Sequence, residues 1–151
     1  MLSKKTKYAL KAMIGLAKAE PGKPVMTGYL AESEGIPKKF LELILLDLKS
    51  LGVVQSRQGK MGGYMLRRPT NKITMGEIIR GIEGPLAPLP CVSQSAYERC
   101  AECPDEAACG LRLVMKDVRD ASSKILDNTS LSDVLDRMQK ARGSNDMMFH
   151  I

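Results

Sequence analysis

Apolar residues recur at helical spacing near the start of the chain. Tyr8, Leu10, Ala12, Met13, Leu16 and Ala17 share one face over residues 5–19. "PGKP" at 21–24 ends that pattern. A second, short helix follows, with Thr27 as N-cap and Tyr29, Leu30 and Ala31 turned inward. "EGIP" at 34–37 makes a tight break containing Gly35. Pro37 suits the first turn of a third helix, where its missing N–H would have had no partner. This helix runs to about Ser50. Its buried stripe is Phe40, Leu41, Ile44, Leu45, Leu48 and Leu51, and Lys38, Lys39, Glu42 and Lys49 stay polar.

The period then changes. Val53 and Val54 begin a strand, Gly59, Gly62 and Gly63 supply a tight turn needing positive φ, and Tyr64, Met65 and Leu66 return as a second strand. Three helices followed by a hairpin is the order of a winged helix-turn-helix. The predicted fold class is therefore mainly α with a small β-hairpin wing. "TMGE" at 74–77 predicts a capping box between Thr74 and Glu77, opening a helix to about Ile82. "EGPLAPLP" at 83–90 reads as a linker.

Past the linker, Pro104, Asp105 and Glu106 resemble a first helical turn, with acids at its positive end. Leu111, Val114, Met115, Val118, Ile125 and Leu126 then line one stripe of a helix of about 20 residues, or roughly 30 Å. So long a helix has little of its own chain to pack on, and a partner chain is the economical solution. "SLSDVLDRMQK" at 130–140 predicts a short final helix. The expected units are a winged helix-turn-helix (1–83), a linker with a cysteine-rich loop (84–104), a dimerisation helix with a short C-terminal helix (105–140) and a flexible tail (141–151).

Charge sharpens the picture. Residues 1–80 carry 15 Lys+Arg against 6 Asp+Glu, and residues 81–151 carry 8 against 11. A basic front half points to a polyanion. A winged helix presents its third helix to the major groove of double-stranded DNA and its wing to the backbone or minor groove. The expected DNA-contacting set is Lys5, Lys7, Thr27, Lys38, Lys39, Glu42, Arg57, Lys60 and Gly62. In it, Glu42 can accept from a cytosine amino group, and the lysines bind phosphate or guanine. Arg67 and Arg68 also flank the wing. The plainer alternative is a solvated basic surface in which Glu42 pairs with Lys38 or Lys39.

All four cysteines lie in one stretch: Cys91, Cys100, Cys103 and Cys109. The N-terminal segment lacks the continuous apolar centre of an export signal, so a cytoplasmic protein with reduced thiols is expected, and no apolar run is long enough to span a membrane. Cys100-x2-Cys103 is a zinc-like knuckle that Cys91 and Cys109 could complete, but zinc ribbons usually pair two such knuckles. Iron–sulfur clusters also take cysteine thiolates, with looser spacing. The spacing leaves both open. No paired acid/base constellation or phosphate loop argues for an enzyme or a small-molecule substrate, and the single histidine, His150, is terminal.

"TKYALKAMIGLA", "GIPKKFLELILLDLKSLGVVQSRQGKMGGYMLRRP", "ITMGEIIRGIEGP" and the cysteine run together resemble the bacterial IscR/NsrR family of transcription regulators, over roughly residues 1–135. The resemblance implies a homodimeric winged-helix repressor or activator with a [2Fe–2S] or [4Fe–4S] cluster, sensing cluster supply, nitric oxide, iron or redox state. It implies Cys91, Cys103 and Cys109 as ligands, the last two matching the family's cysteine-x5-cysteine spacing. Cys100 is extra. Where some members place a histidine ligand three residues past the last cysteine, this chain has Arg112; where others recruit an acid near the start of helix one, "KKTKYAL" offers none. A four-cysteine site would need neither. The alternative is a zinc- or thiol-containing winged-helix interaction module without a cluster.

Overall fold

The computed structural model describes residues 2–148, the side chains of the last four of these excepted. Helix α1 (Lys4–Ala17) starts at Ser3, whose hydroxyl accepts from the Thr6 N–H. Helix α2 (Thr27–Glu34) ends at Gly35, whose φ of +61° is the left-handed conformation a C-cap favours. Helix α3 (Lys38–Ser50) follows at once. The three pack through Ala9, Ala12, Met13, Leu16, Leu30, Leu41, Ile44, Leu45 and Leu48, all buried in one core. With aromatics at only 4% of the chain, aliphatic side chains and Met13 fill it.

Strands β1 (Val54–Arg57) and β2 (Gly63–Leu66) pair antiparallel, with Val54 opposite Leu66 and Arg57 opposite Gly63. Val25 adds a short third rung, exchanging N–H···O bonds of 2.8 and 2.9 Å with Tyr64. This is the expected winged helix-turn-helix. Gly59 has the positive φ the turn requires, at +111°. Gly62 and Gly63 are required for space: a Cβ would lie 2.3 Å from the Arg57 carbonyl oxygen and 2.1 Å from that of Val25. Gly63→Ala is therefore expected to cost about 1–3 kcal/mol and to loosen the Val25–Tyr64 rung. A denaturant midpoint and amide exchange at Tyr64 check this. An unchanged midpoint would show that the two backbones separate freely.

Helix α4 (Met75–Ile82) begins at Thr74, whose hydroxyl accepts from the Glu77 N–H at 3.2 Å. Only half of the expected capping box forms, because the Glu77 carboxylate pairs with Arg68 rather than returning to Thr74. Other local expectations are corrected too. Met26, not Thr27, is the N-cap of α2, and Thr27 is its first helical residue without a side-chain cap bond. Pro37 is the N-cap of α3 rather than part of its first turn. Phe40 and Leu51 lie at the exposed edges of the α3 stripe; Phe40 packs edge-on against Tyr8, with ring centres 5.6 Å apart.

The larger differences come after the linker. Helix α5 (Gly110–Asp127) starts at Gly110, so Pro104, Asp105 and Glu106 belong to the preceding loop. Helix α6 (Leu131–Met148) is not short: residues 141–148, expected to be a loose tail, continue it. His150 lies outside the described residues. The start of α6 also joins the first unit. Leu131 is fully buried in the α1–α3 core, Leu135 packs against it, and Leu131 N–H donates to the Ile73 carbonyl at 2.9 Å. The chain thus returns from α5 onto the winged helix, and α4 is braced to α5 by Arg80, which binds Asp127 at 2.8 Å.

A second brace ties the end of α4 to the start of α1. The Glu83 carboxylate accepts from the buried Thr6 hydroxyl, the Ser3 hydroxyl at 2.7 Å and the Ser3 N–H at 3.0 Å. These donors, the Thr6 hydroxyl foremost, hold Glu83 below its ordinary pKa. A folded-state pKa below the unfolded one contributes stability that is full above the unfolded value and disappears as pH falls through the folded value. Glu83→Gln should therefore melt earlier than wild type at pH 7, with the gap closing below about pH 4. Thermal melts between pH 7 and 3 test it; a gap independent of pH would remove the carboxylate as the cause.

Candidate nucleic-acid interface and cysteine hollow

Two regions carry the candidate chemistry. The first is the outer side of α3 with the wing. Lys38, Lys39 and Glu42 are exposed at the start of α3, opposite buried Leu41, Ile44, Leu45 and Leu48. Among the described residues Glu42 makes no ion pair with Lys38 or Lys39. Arg57 ends β1 and Lys60 lies in the turn, both exposed. Lys7 is exposed on α1. Lys5 is tied up: its ammonium lies 2.7 Å from the Asp47 carboxylate of α3. Thr27 is half-buried at the start of α2, and Gly62 is held in the wing turn by its lack of a side chain. Sequence reasoning missed the exposed apolar residues Leu43 and Leu46 on α3, because it sought only charged and polar contacts.

The second region lies where the linker reaches α5. Cys91 is buried in a short 3₁₀ turn, Pro90–Val92. Cys100 is exposed, Cys103 and Cys109 are half-buried, and all four are free thiols. With Leu89, Glu106, Leu111 and Arg112 they line one small apolar hollow of about 50 Å³. Among the described residues no three His, Cys, Asp or Glu side chains converge as ligands of a single ion. A mononuclear zinc site is thus not preformed.

The helix terminus shapes the electrostatics of this hollow. Cys109 is the N-cap of α5. Its side chain makes no cap hydrogen bond, but the nearby Arg112 N–H, foremost, then the Cys103 thiol and the Leu111 N–H lower its pKa. Cys103 is pushed up, first by burial and then by the adjacent Cys109; its thiol donates to the Asp105 carbonyl at 3.3 Å. The favoured thiolate is therefore Cys109, where sequence reasoning expected the helix start just after Cys103.

Side chains of α5 also fasten the loop. Arg112 donates from Nε to the Cys91 carbonyl at 3.2 Å, and Arg119 donates to the Val92 carbonyl. Tyr97 donates its hydroxyl to the Glu106 carboxylate at 2.6 Å, so the one acid lining the hollow is already engaged, and this contact raises the tyrosine pKa. Nothing in the residue spacing indicated these ties, which depend on the loop's path.

Alignment with known proteins decides the family. Residues 2–137 match the family model described as Rrf2, iron-dependent transcriptional regulator. The chain belongs to the Rrf2 family. An rrf2-like HTH-type transcriptional regulator of Rhodobacter capsulatus is 43% identical over 138 residues, covering 89% of this chain and 92% of that protein. The HTH-type transcriptional repressor NsrR of Streptomyces coelicolor is 30% identical over 135 residues, covering 89% and 87%. Among solved structures, CymR, the global cysteine regulator of B. subtilis, superposes with a TM-score of 0.74 at 32% identity, covering 89% of this chain and 95% of that one. T. potens IscR gives 0.74 at 28% identity, covering 93% and 90%. These Rrf2 proteins are named as regulators, and this chain is a winged-helix, DNA-binding transcription regulator, not an enzyme. Among the described residues no helix is long and apolar enough to cross a membrane.

Proposed function

We propose that this Rrf2 protein is a cytoplasmic homodimeric regulator that binds a two-half-site DNA operator and holds an iron–sulfur cluster, [2Fe–2S] or [4Fe–4S], in its cysteine loop. The observation that carries the reading is the gathering of four free thiols around one hollow at the N-terminus of α5. Soft thiolate donors at a positive helix end, in an apolar surround, suit such a cluster. Cys91, Cys103 and Cys109 are the anchors, and Cys100 is the fourth ligand. A bound cluster supplies reversible electron transfer and ligand exchange.

The chain's own residues link the hollow to the reading head. Arg112 and Arg119 fasten the loop carbonyls to α5. Glu83 fastens the start of the linker to α1, and Arg80 fastens α4 to α5. A change in the loop therefore moves a braced frame, and in a dimer a modest rotation resets the spacing of the two α3 helices. Half-sites lie about 34–36 Å apart on one DNA face, so that spacing governs operator affinity. In this reading Lys38, Lys39, Glu42, Arg57 and Lys60 meet the DNA, with Lys7, Thr27 and Gly62 beside the backbone and Lys5 acting through Asp47.

Absorption spectra with iron and sulfide analysis of anaerobically purified protein test the cofactor. Iron and sulfide in near-equal amounts are expected. One zinc per chain in a colourless, iron-free sample would establish the zinc module instead. Equal operator affinity of cluster-loaded and cluster-free protein would sink the switch while leaving the DNA binding intact.

A further inference from the structure

The outer ridge of α3 is unusually apolar for a helix with a basic start. Lys39, Leu43, Leu46 and Ser50 stand at i, i+4, i+7 and i+11, a straight row along the helix. They lie opposite the buried row of Leu41, Ile44, Leu45 and Leu48. Leu43 is 60% and Leu46 54% exposed, and neither belongs to the apolar core. Core packing therefore does not account for two leucines on the middle turns of the helix. Flanking them are the exposed Lys38, Lys39, Glu42 and Lys49. The Asp47 carboxylate, which would repel phosphate, is neutralised by Lys5 at 2.7 Å.

We propose that Leu43 and Leu46 are specificity-determining residues that recognise thymine methyl groups in the DNA major groove. This rests on the DNA-binding reading above and deepens it. The occupant follows from charge and chemistry. The lysines around the ridge call for a polyanion, and a leucine side chain has no hydrogen bond to offer a base edge. Of the four bases only thymine presents an apolar group, its C5 methyl, in the major groove. Set against the other bases, a leucine would strip water from donors or acceptors without replacing it. The spacing also fits. Leu43 and Leu46 are about 4.5 Å apart along the axis at 1.5 Å per residue. DNA base pairs are about 3.4 Å apart. The two leucines therefore address base pairs one or two steps apart, and Glu42 adds a hydrogen-bond acceptor on the same turn.

The test starts from high-affinity duplexes selected by the anaerobically purified full-length chain from a randomised pool. Thymines in each half-site are then replaced singly by deoxyuridine, which removes only the methyl. For wild type, two positions per half-site should each lose about four-fold in affinity per methyl. At one of these positions the deoxyuridine penalty should vanish in Leu43→Ala, and at another in Leu46→Ala. Both leucines are exposed, so thermal melts should match wild type. Lys39→Ala should instead weaken all duplexes alike and reduce the salt dependence. Equal deoxyuridine penalties in wild type and both leucine variants, or selected half-sites without thymine, would overturn the proposal while leaving DNA binding in place. Failure of wild type to select any sequence would remove the DNA reading and this proposal with it.

Discussion

Alanine at Cys109 should cost the protein its cluster: iron and sulfide retained after anaerobic purification should fall at least ~10-fold, and the visible absorption with them. The reason is positional. Cys109 stands at the N-cap of α5, where the nearby N–H groups of Arg112 and Leu111 and the adjacent Cys103 favour its thiolate. No other cysteine in the loop has a helix terminus behind it, and thiolate is the form that ligates iron. Cys91→Ala and Cys103→Ala should lose iron comparably, because one is fixed in a buried turn and the other sits beside Cys109. Cys100 is exposed, and Cys100→Ala should fold normally yet yield a cluster lost faster in air. Glu106→Gln should keep its iron, since that carboxylate is held by Tyr97. Full iron and an unchanged spectrum in Cys100→Ala would reduce the ligand set to three cysteines. Full iron in Cys109→Ala would remove the proposed site altogether.

The fold was legible in the sequence wherever burial and period coincide. The α1 and α3 stripes, the Val53–Leu66 hairpin with its glycines and the family resemblance all follow from residues that pack or turn locally. Several of the differences share a cause: a side chain chose a distant partner over a neighbour. Glu77 left its capping box for Arg68, and Lys5 turned from solvent to Asp47. The sequence places Leu131 only in a short final helix, but the chain doubles back and buries it in the first unit's core. The start of α5 was misplaced because Pro104 and two acids imitate a first turn, while the helix opens six residues later at Gly110. In the cysteine region, the residue types and the departure at Cys100 were visible. The hollow itself, and the arginines that fasten its rim, depend on a loop path with no periodic signal.

Glutamate at both Val118 and Ile125 should turn the protein from a dimer into a folded monomer. Helix α5 has two sides. Arg112, Met115, Arg119 and Leu126 are half-buried, and the two arginines bind the loop carbonyls of Cys91 and Val92. Among the described residues Leu111, Val114, Val118 and Ile125 form a separate exposed stripe, with Val118 at 44% and Ile125 at 61% exposed. In the proposed homodimer, this exposed row of four large apolar side chains along an 18-residue helix is the surface that meets the partner. Two carboxylates there, beside Asp117, would place like charges across a two-fold axis. Both side chains are exposed in the monomer, so the thermal midpoint measured at low concentration should barely move. Sedimentation should show the monomer. The larger consequence falls on DNA. A dimer binds its second half-site at high effective concentration, and losing that advantage should weaken operator binding at least ~100-fold. Binding to a single half-site should survive, because α3 and the wing are untouched. A double variant that still sediments as a dimer would place the interface elsewhere. A monomer with undiminished operator affinity would show that one winged helix suffices.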